Sequence, residues 1–117
     1  MRKKVLSISE LESSEQYEKI RVSLVNQVSD SNGNILEYYL DMIDNYMSLW
    51  CTAKALQDDI KIRGVTVKWD NGGGQKGIKK NESIAELNKT IQQMTKLLEA
   101  LGLKPTDLIN GTSDSDL

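Results

Sequence analysis

Apolar positions recur at intervals of three and four in three stretches of the chain, and each stretch predicts an amphipathic helix. The first runs from about Ser13 to Val28 and sets Tyr17, Ile20, Leu24 and Val28 on one face, with Val25 beside Leu24. Ser13 and Gln16 stand in capping-box register at its start, where each side chain can satisfy a backbone N–H that a new helix leaves unpaired. Asp30-Ser31-Asn32-Gly33 then breaks the pattern. The second stretch runs from about Asn34 to Arg63, with Asn34 and Glu37 again in capping register. Leu36, Tyr39, Ile43, Tyr46, Trp50 and Ala53 form one stripe, and Ile35, Met42, Leu49 and Leu56 a second that repeats every seven residues. Two adjacent stripes make a face wider than the seam of a two-stranded coiled coil. Gly64 supplies the stop, with Lys61 and Arg63 near the negative end of the helix dipole.

The third stretch, from about Ser83 to Leu101, carries Ile84, Leu87, Ile91, Met94, Leu98 and Leu101 in an unbroken stripe behind a Ser83/Glu86 capping pair. Gly102 closes it, Pro105 prevents continuation, and Pro105-Thr106-Asp107-Leu108-Ile109 can form one short further turn. Between the second and third helices, residues 64–82 exceed the short turn of a helix-turn-helix. Val65-Thr66-Val67-Lys68-Trp69 alternates apolar and polar as a strand does, Asp70-Asn71-Gly72-Gly73-Gly74-Gln75 reads as a turn, and Lys76-Gly77-Ile78-Lys79-Lys80 can return. The pattern therefore predicts an all-α protein: an antiparallel helical hairpin plus an N-terminal helix, with a long loop or small β-hairpin between the two main helices. Residues 1–12 are expected to be a flexible N-terminus, 13–110 a single domain, and 111–117 a disordered acidic tail. A lone helical hairpin buries too little apolar surface to offset the ordering of its backbone, so the wide face must meet the first helix, other chains or both. That argument predicts a homo-oligomer, with Leu36, Tyr39, Ile43, Tyr46 and Trp50 as its interface.

Composition narrows the chemistry. The chain has 117 residues, one cysteine and no histidine. An intramolecular disulfide cannot form, and Cys/His zinc sites and Ser-His-Asp or Cys-His catalysis are excluded within one chain. No carboxylate pair sits in an apolar setting suited to acid–base work. The prediction is a non-enzymatic protein with no metal and no cofactor. No apolar run is long enough to span a bilayer, and the basic opening Met1-Arg2-Lys3-Lys4 is followed by Glu10, Glu12 and Glu15 rather than an apolar core, so a soluble intracellular protein is expected.

Formal net charge is only −2, but its distribution is uneven. Lys61, Arg63, Lys68, Lys76, Lys79 and Lys80 face a single Asp70 within residues 61–80, a local net of +5 that leaves −7 for the rest of the chain. Cations displace counterions from phosphates, and glycine-rich backbone approaches them closely, so these six residues are the candidate nucleic-acid contacts. The bland alternative is a solvated flexible tip. The glycine run is not a nucleotide-binding P-loop: Gly72-Gly73-Gly74-Gln75-Lys76-Gly77 has glycine where Ser or Thr should follow the lysine. Tyr38, Tyr39, Tyr46 and Trp50 can be read as a base-stacking platform, yet at helical spacing they fit a core or subunit interface better. Cys51 reads as a small packing residue.

Several strings in this order resemble the phage terminase small-subunit family. They are Tyr39-Leu40 through Asp44-Asn45-Tyr46-Met47-Ser48-Leu49-Trp50; Asp59-Ile60-Lys61-Ile62-Arg63-Gly64-Val65; Asn71-Gly72-Gly73-Gly74-Gln75-Lys76-Gly77 with Lys79-Lys80-Asn81; and Glu86-Leu87-Asn88-Lys89, Gln93-Met94 and Leu97-Leu98 through Leu101-Gly102-Leu103-Lys104-Pro105. The resemblance covers roughly residues 17–105. It implies a non-catalytic DNA-packaging adaptor that binds double-stranded phage DNA, assembles into a homo-oligomeric ring, and regulates a separate large terminase subunit holding the ATPase and nuclease. It also implies residence in the cytoplasm of the infected or lysogenic bacterial host. Many small terminases carry an N-terminal helix-turn-helix, and none is evident here. The competing reading is a small helical protein–protein interaction or scaffold module without DNA binding.

Overall fold

A computed structural model describes residues 7–103. Its elements in chain order are α1 (Ile8–Glu12), α2 (Glu15–Val28), α3 (Glu37–Arg63), β1 (Thr66–Asp70), β2 (Lys76–Lys80) and α4 (Glu82–Ala100). The predicted helical hairpin is α3 and α4, the first predicted helix is α2, and the connecting segment folds as the β-hairpin. The expected turn at 105–109 and the tail 111–117 lie outside the described residues.

The helix starts differ from the sequence reading, each for a local reason. Residues 7–12 belong to a structured turn: the Ser7 hydroxyl accepts from the Glu10 N–H while the Glu10 carboxylate accepts from the Ser7 N–H, and α1 buries Leu11. Ser13 is consumed in ending α1, its hydroxyl donating to the Ser9 and Glu10 carbonyls. The cap of α2 is therefore Ser14, which accepts from the Tyr17 N–H at 3.2 Å. Asn34 does not cap α3. Its N–H donates to the Asp30 carboxylate, which also takes the Asn32 N–H, and this closes the α2–α3 loop. The helix begins at Glu37 behind Leu36, which has no side-chain cap. Asn81 rather than Ser83 caps α4, its side-chain oxygen accepting from the Ser83 N–H at 2.9 Å. At the far end Gly102, with φ +79, and the Leu103 N–H bonded to the Leu98 carbonyl close α4 as the sequence predicts.

The core gathers where four helices meet. Ile43, Met47 and Cys51 on α3 are fully buried. Trp50 joins them, with Leu11 from α1, Leu24 from α2 and Leu101 from the end of α4. Tyr17 meets Trp50 edge-on, with ring centroids 5.9 Å apart. Arg21 and Asp44 pair at 3.2 Å and tie α2 to α3. Burial pushes the Cys51 thiol upward, which keeps it protonated and unreactive, as suits a packing residue.

Beyond this cluster the antiparallel pair continues with only its own seam to bury, and Leu56, Ile60, Ile84 and Leu87 are half-buried there. The molecule is accordingly elongated, 65 × 38 × 29 Å. Its radius of gyration is 18.5 Å, against ~13 Å for a compact domain of this length.

Candidate nucleic-acid interface

A polar clamp sets the geometry where α3 ends and α4 begins. Asp59 and Arg63 lie one turn apart, and the guanidinium grips both carboxylate oxygens at 2.7 and 2.8 Å. The same guanidinium donates to the side-chain oxygen of Asn81 at 3.0 Å. Ser83 donates its hydroxyl to the second Asp59 oxygen at 2.6 Å. Asn81 is 1% exposed and is satisfied throughout: its amide donates to the Gly64 carbonyl at 2.9 Å and its N–H to the Val65 carbonyl at 2.7 Å. Hydrogen bonds from Arg63, then Ser83, hold the Asp59 carboxyl well below the usual carboxylate range. Gly64, at φ +86, lets the chain leave α3 in a direction that a side-chain-bearing residue rarely adopts. The clamp thus holds both feet of the β-hairpin side by side.

The hairpin pairs antiparallel in the register Thr66↔Lys80, Val67↔Lys79, Lys68↔Ile78, Trp69↔Gly77 and Asp70↔Lys76. Opposed residues share a face. One face therefore carries Thr66, Lys68, Asp70, Lys76, Ile78 and Lys80, and the other Val67, Trp69, Gly77 and Lys79. The Trp69 ring lies against the Gly77 backbone so closely that a Cβ there would meet the indole Nε1 at 2.5 Å. At the tip the Asp70 carboxylate takes the Gly72 N–H at 2.8 Å and the Asn71 side-chain oxygen the Gly73 N–H at 2.9 Å.

This geometry sorts the six cations that the sequence singles out. Arg63 belongs to the clamp, so it is a structural group rather than a free phosphate contact. Lys79 pairs with Glu82 at 2.7 Å, on the face that Trp69 covers. That hydrogen bond also lowers the Glu82 carboxyl. Lys76 approaches Asp70 only to 3.9 Å with its side chain three-quarters exposed, and so loose a pair holds it weakly. Lys61, Lys68 and Lys80 are exposed and have no acidic partner among the described residues. Lys68 and Lys80 lie on one face of the ribbon, and Ile78, opposite Lys68, is 69% exposed beside them.

The five residues predicted to form an oligomer interface also divide. Ile43 and Trp50 lie in the chain's own core, so neither offers an outward surface. The first helix covers the face that the sequence left open. Tyr46 and Tyr39 are half-buried against that core, and burial raises the Tyr46 phenol. Leu36 is 53% exposed beside Tyr38 at 60%, and it lines a groove of 330 Å³ with Val28, Asp30, Asn34, Ile35 and Tyr39. With Trp50 inside, the four aromatics form no continuous stacking platform. Sequence reasoning missed Asp59, Asn81 and Ser83, although the Asp59–Arg63 spacing was visible as an (i, i+4) ion pair. Among the described residues no three His, Cys, Asp or Glu are grouped to hold a metal ion, and no helix is long and apolar enough to cross a membrane.

Fold and site together define an elongated helical-hairpin protein that presents a basic β-ribbon at one end. The family model for the phage terminase small subunit matches residues 21–108, most of the chain, and the protein belongs to that family. Membership gives it a role in phage DNA packaging and places it in a generally non-catalytic group. No curated protein and no solved structure matches it.

Proposed function

We propose that this protein is the DNA-binding adaptor of a phage packaging machine. It contacts double-stranded DNA through the ribbon at the end of the α3–α4 hairpin and regulates the large terminase subunit, which carries the ATPase and nuclease. The observation that supports this most directly is the separation of charge: unpaired Lys61, Lys68 and Lys80 project at one end of a chain whose remainder is acidic. The contact is mainly to phosphates, which explains why exposed lysines rather than buried polar groups populate it. The exposed Leu36 and Tyr38 end supports assembly into a homo-oligomer, a ring in which many weak lysine contacts add through effective concentration. The site of action is the host cytoplasm.

Fluorescence anisotropy on duplex DNA across a salt series tests the reading. Replacing Lys61, Lys68 and Lys80 together by alanine should weaken binding and reduce the slope of log affinity against log salt by up to about 2.7, ~0.9 for each lost phosphate contact. Unchanged binding by that variant overturns the assignment. Loss of binding on changing Arg2, Lys3 and Lys4 instead relocates the contact to the N-terminus.

A further inference from the structure

We infer that the ribbon enters the DNA major groove with its Lys68/Ile78/Lys80 face forward, so that Ile78 packs on thymine methyl groups while Lys68 and Lys80 grip the flanking phosphates. This rests on the DNA-binding reading above and adds to it a groove, an orientation and a base contact.

Three observations carry it. The first is size. Five-residue strands rise about 3.4 Å per residue and lie about 4.8 Å apart, giving a ribbon roughly 17 Å long. The major groove, about 12 Å wide and 8.5 Å deep, admits a two-stranded ribbon with its side chains, whereas the minor groove at about 6 Å would have to be widened at a cost in DNA deformation.

The second is sidedness. Trp69 lies on Gly77 and Lys79 is paired with Glu82 at the start of α4, so on that face the indole and the lysine are already engaged within the chain. The opposite face presents Lys68, Ile78 and Lys80 outward. Its one acidic group, Asp70, is already occupied by the Gly72 N–H and approached by Lys76.

The third is Ile78 itself. It is the most exposed of the large apolar side chains among the described residues, at 69%, and it lies opposite Lys68. An isoleucine there contributes little to the fold. A branched aliphatic group flanked by two cations matches a groove floor of thymine methyls between two phosphate backbones.

The experiment uses the full chain and fluorescent duplexes identical except that every thymine is replaced by uracil, which removes the methyls. The parent should bind the thymine duplex several-fold better, about fourfold for each methyl buried. Ile78→Ser, which removes every side-chain methyl at this exposed position, should bind both duplexes alike at the weaker affinity. Methyl green, a major-groove ligand, should compete, and netropsin, a minor-groove ligand, should not. The Lys68→Ala/Lys80→Ala variant should weaken binding to both duplexes and reduce the salt slope by about 1.8, while Lys79→Ala binds as the parent does. If the lysine variant weakens binding but thymine and uracil duplexes bind the parent equally, or netropsin is the competitor, groove insertion is wrong and the phosphate contact survives. If the lysine variant binds as the parent does, the ribbon is not the DNA interface and both readings fall.

Discussion

The Ser83 hydroxyl donates to the Asp59 carboxylate at 2.6 Å, joining two residues 24 positions apart in the chain. That bond and the Arg63 fork turn the α3–α4 junction into a fixed base for the ribbon. Asp59→Ala removes the acceptor for three hydrogen bonds and leaves Arg63 only its bond to Asn81, so it should destabilise the fold by about 2 kcal/mol. Ser83→Ala removes a single bond while Arg63 stays gripped, and should cost about 1 kcal/mol. Urea denaturation of both variants measures the ranking, and an equal effect contradicts the central place given to the carboxylate.

The clamp has an acid limit. The folded Asp59 carboxyl lies below its ordinary value, so its contribution is fully present above the unfolded value of about 3.9 and is lost as pH falls toward the folded one. Glu82, lowered by Lys79, works in the same direction. The stability difference between the parent and Asp59→Asn should therefore be constant from pH 7 to about 5 and shrink below about 4. The chain has no histidine to add a transition between those regions. Thermal melts of both proteins across that range test the sign, and a gap that widens in acid is the contrary result.

Gly77 leaves room for the indole of Trp69, and any Cβ there collides with it. Gly77→Val should expel the ring into water and shift Trp69 emission to the red, measured in a Trp50→Phe background. The midpoint of helix unfolding should move by less than that of a core variant, because the ribbon lies outside the buried cluster.

Core and surface positions of the same helix should separate cleanly. Ile43→Ala leaves a cavity in a fully buried site and should cost about 2–4 kcal/mol. Leu36→Gln changes an exposed residue and should leave the melting profile near the parent's while reducing the assembled mass in light scattering. A Leu36 variant of unchanged mass removes that end from the proposed oligomer interface.

The helices were legible because the three-four stripes of Tyr17 to Val28, Leu36 to Ala53 and Ile84 to Leu101 reflect which side of each helix avoids water. Their starts were less so. Ser13 and Ser14 are adjacent, and only the short α1 before them decides which is free to cap. Ser83 looks like a cap, yet a carboxylate remote in sequence claims its hydroxyl and Asn81 takes the role. The α1 helix gives no periodic signal because it buries one residue, Leu11. In the ribbon, alternation predicted the first strand, the glycine turn allowed the second to return, and the charge tally located the cluster, but nothing showed that Arg63 and Lys79 are already paired. Pairing depends on how α3 and α4 meet, which no local pattern records. For the same reason Ile43 and Trp50 read as an open face: the stripe shows that they must be covered, not by what.

The buried cluster sits at one end of the long helical hairpin and the ribbon at the other. Free energy of local opening must therefore rise along the molecule, low in the ribbon and highest around Ile43, Met47 and Cys51. Amide protons of β1 and β2 will exchange with solvent many times for each exchange event in mid-α3. Under the proposed function the ribbon can bend, twist or briefly let go of an irregular duplex while the buried cluster keeps its shape, so gripping DNA and holding the fold are thermally independent acts of one short chain.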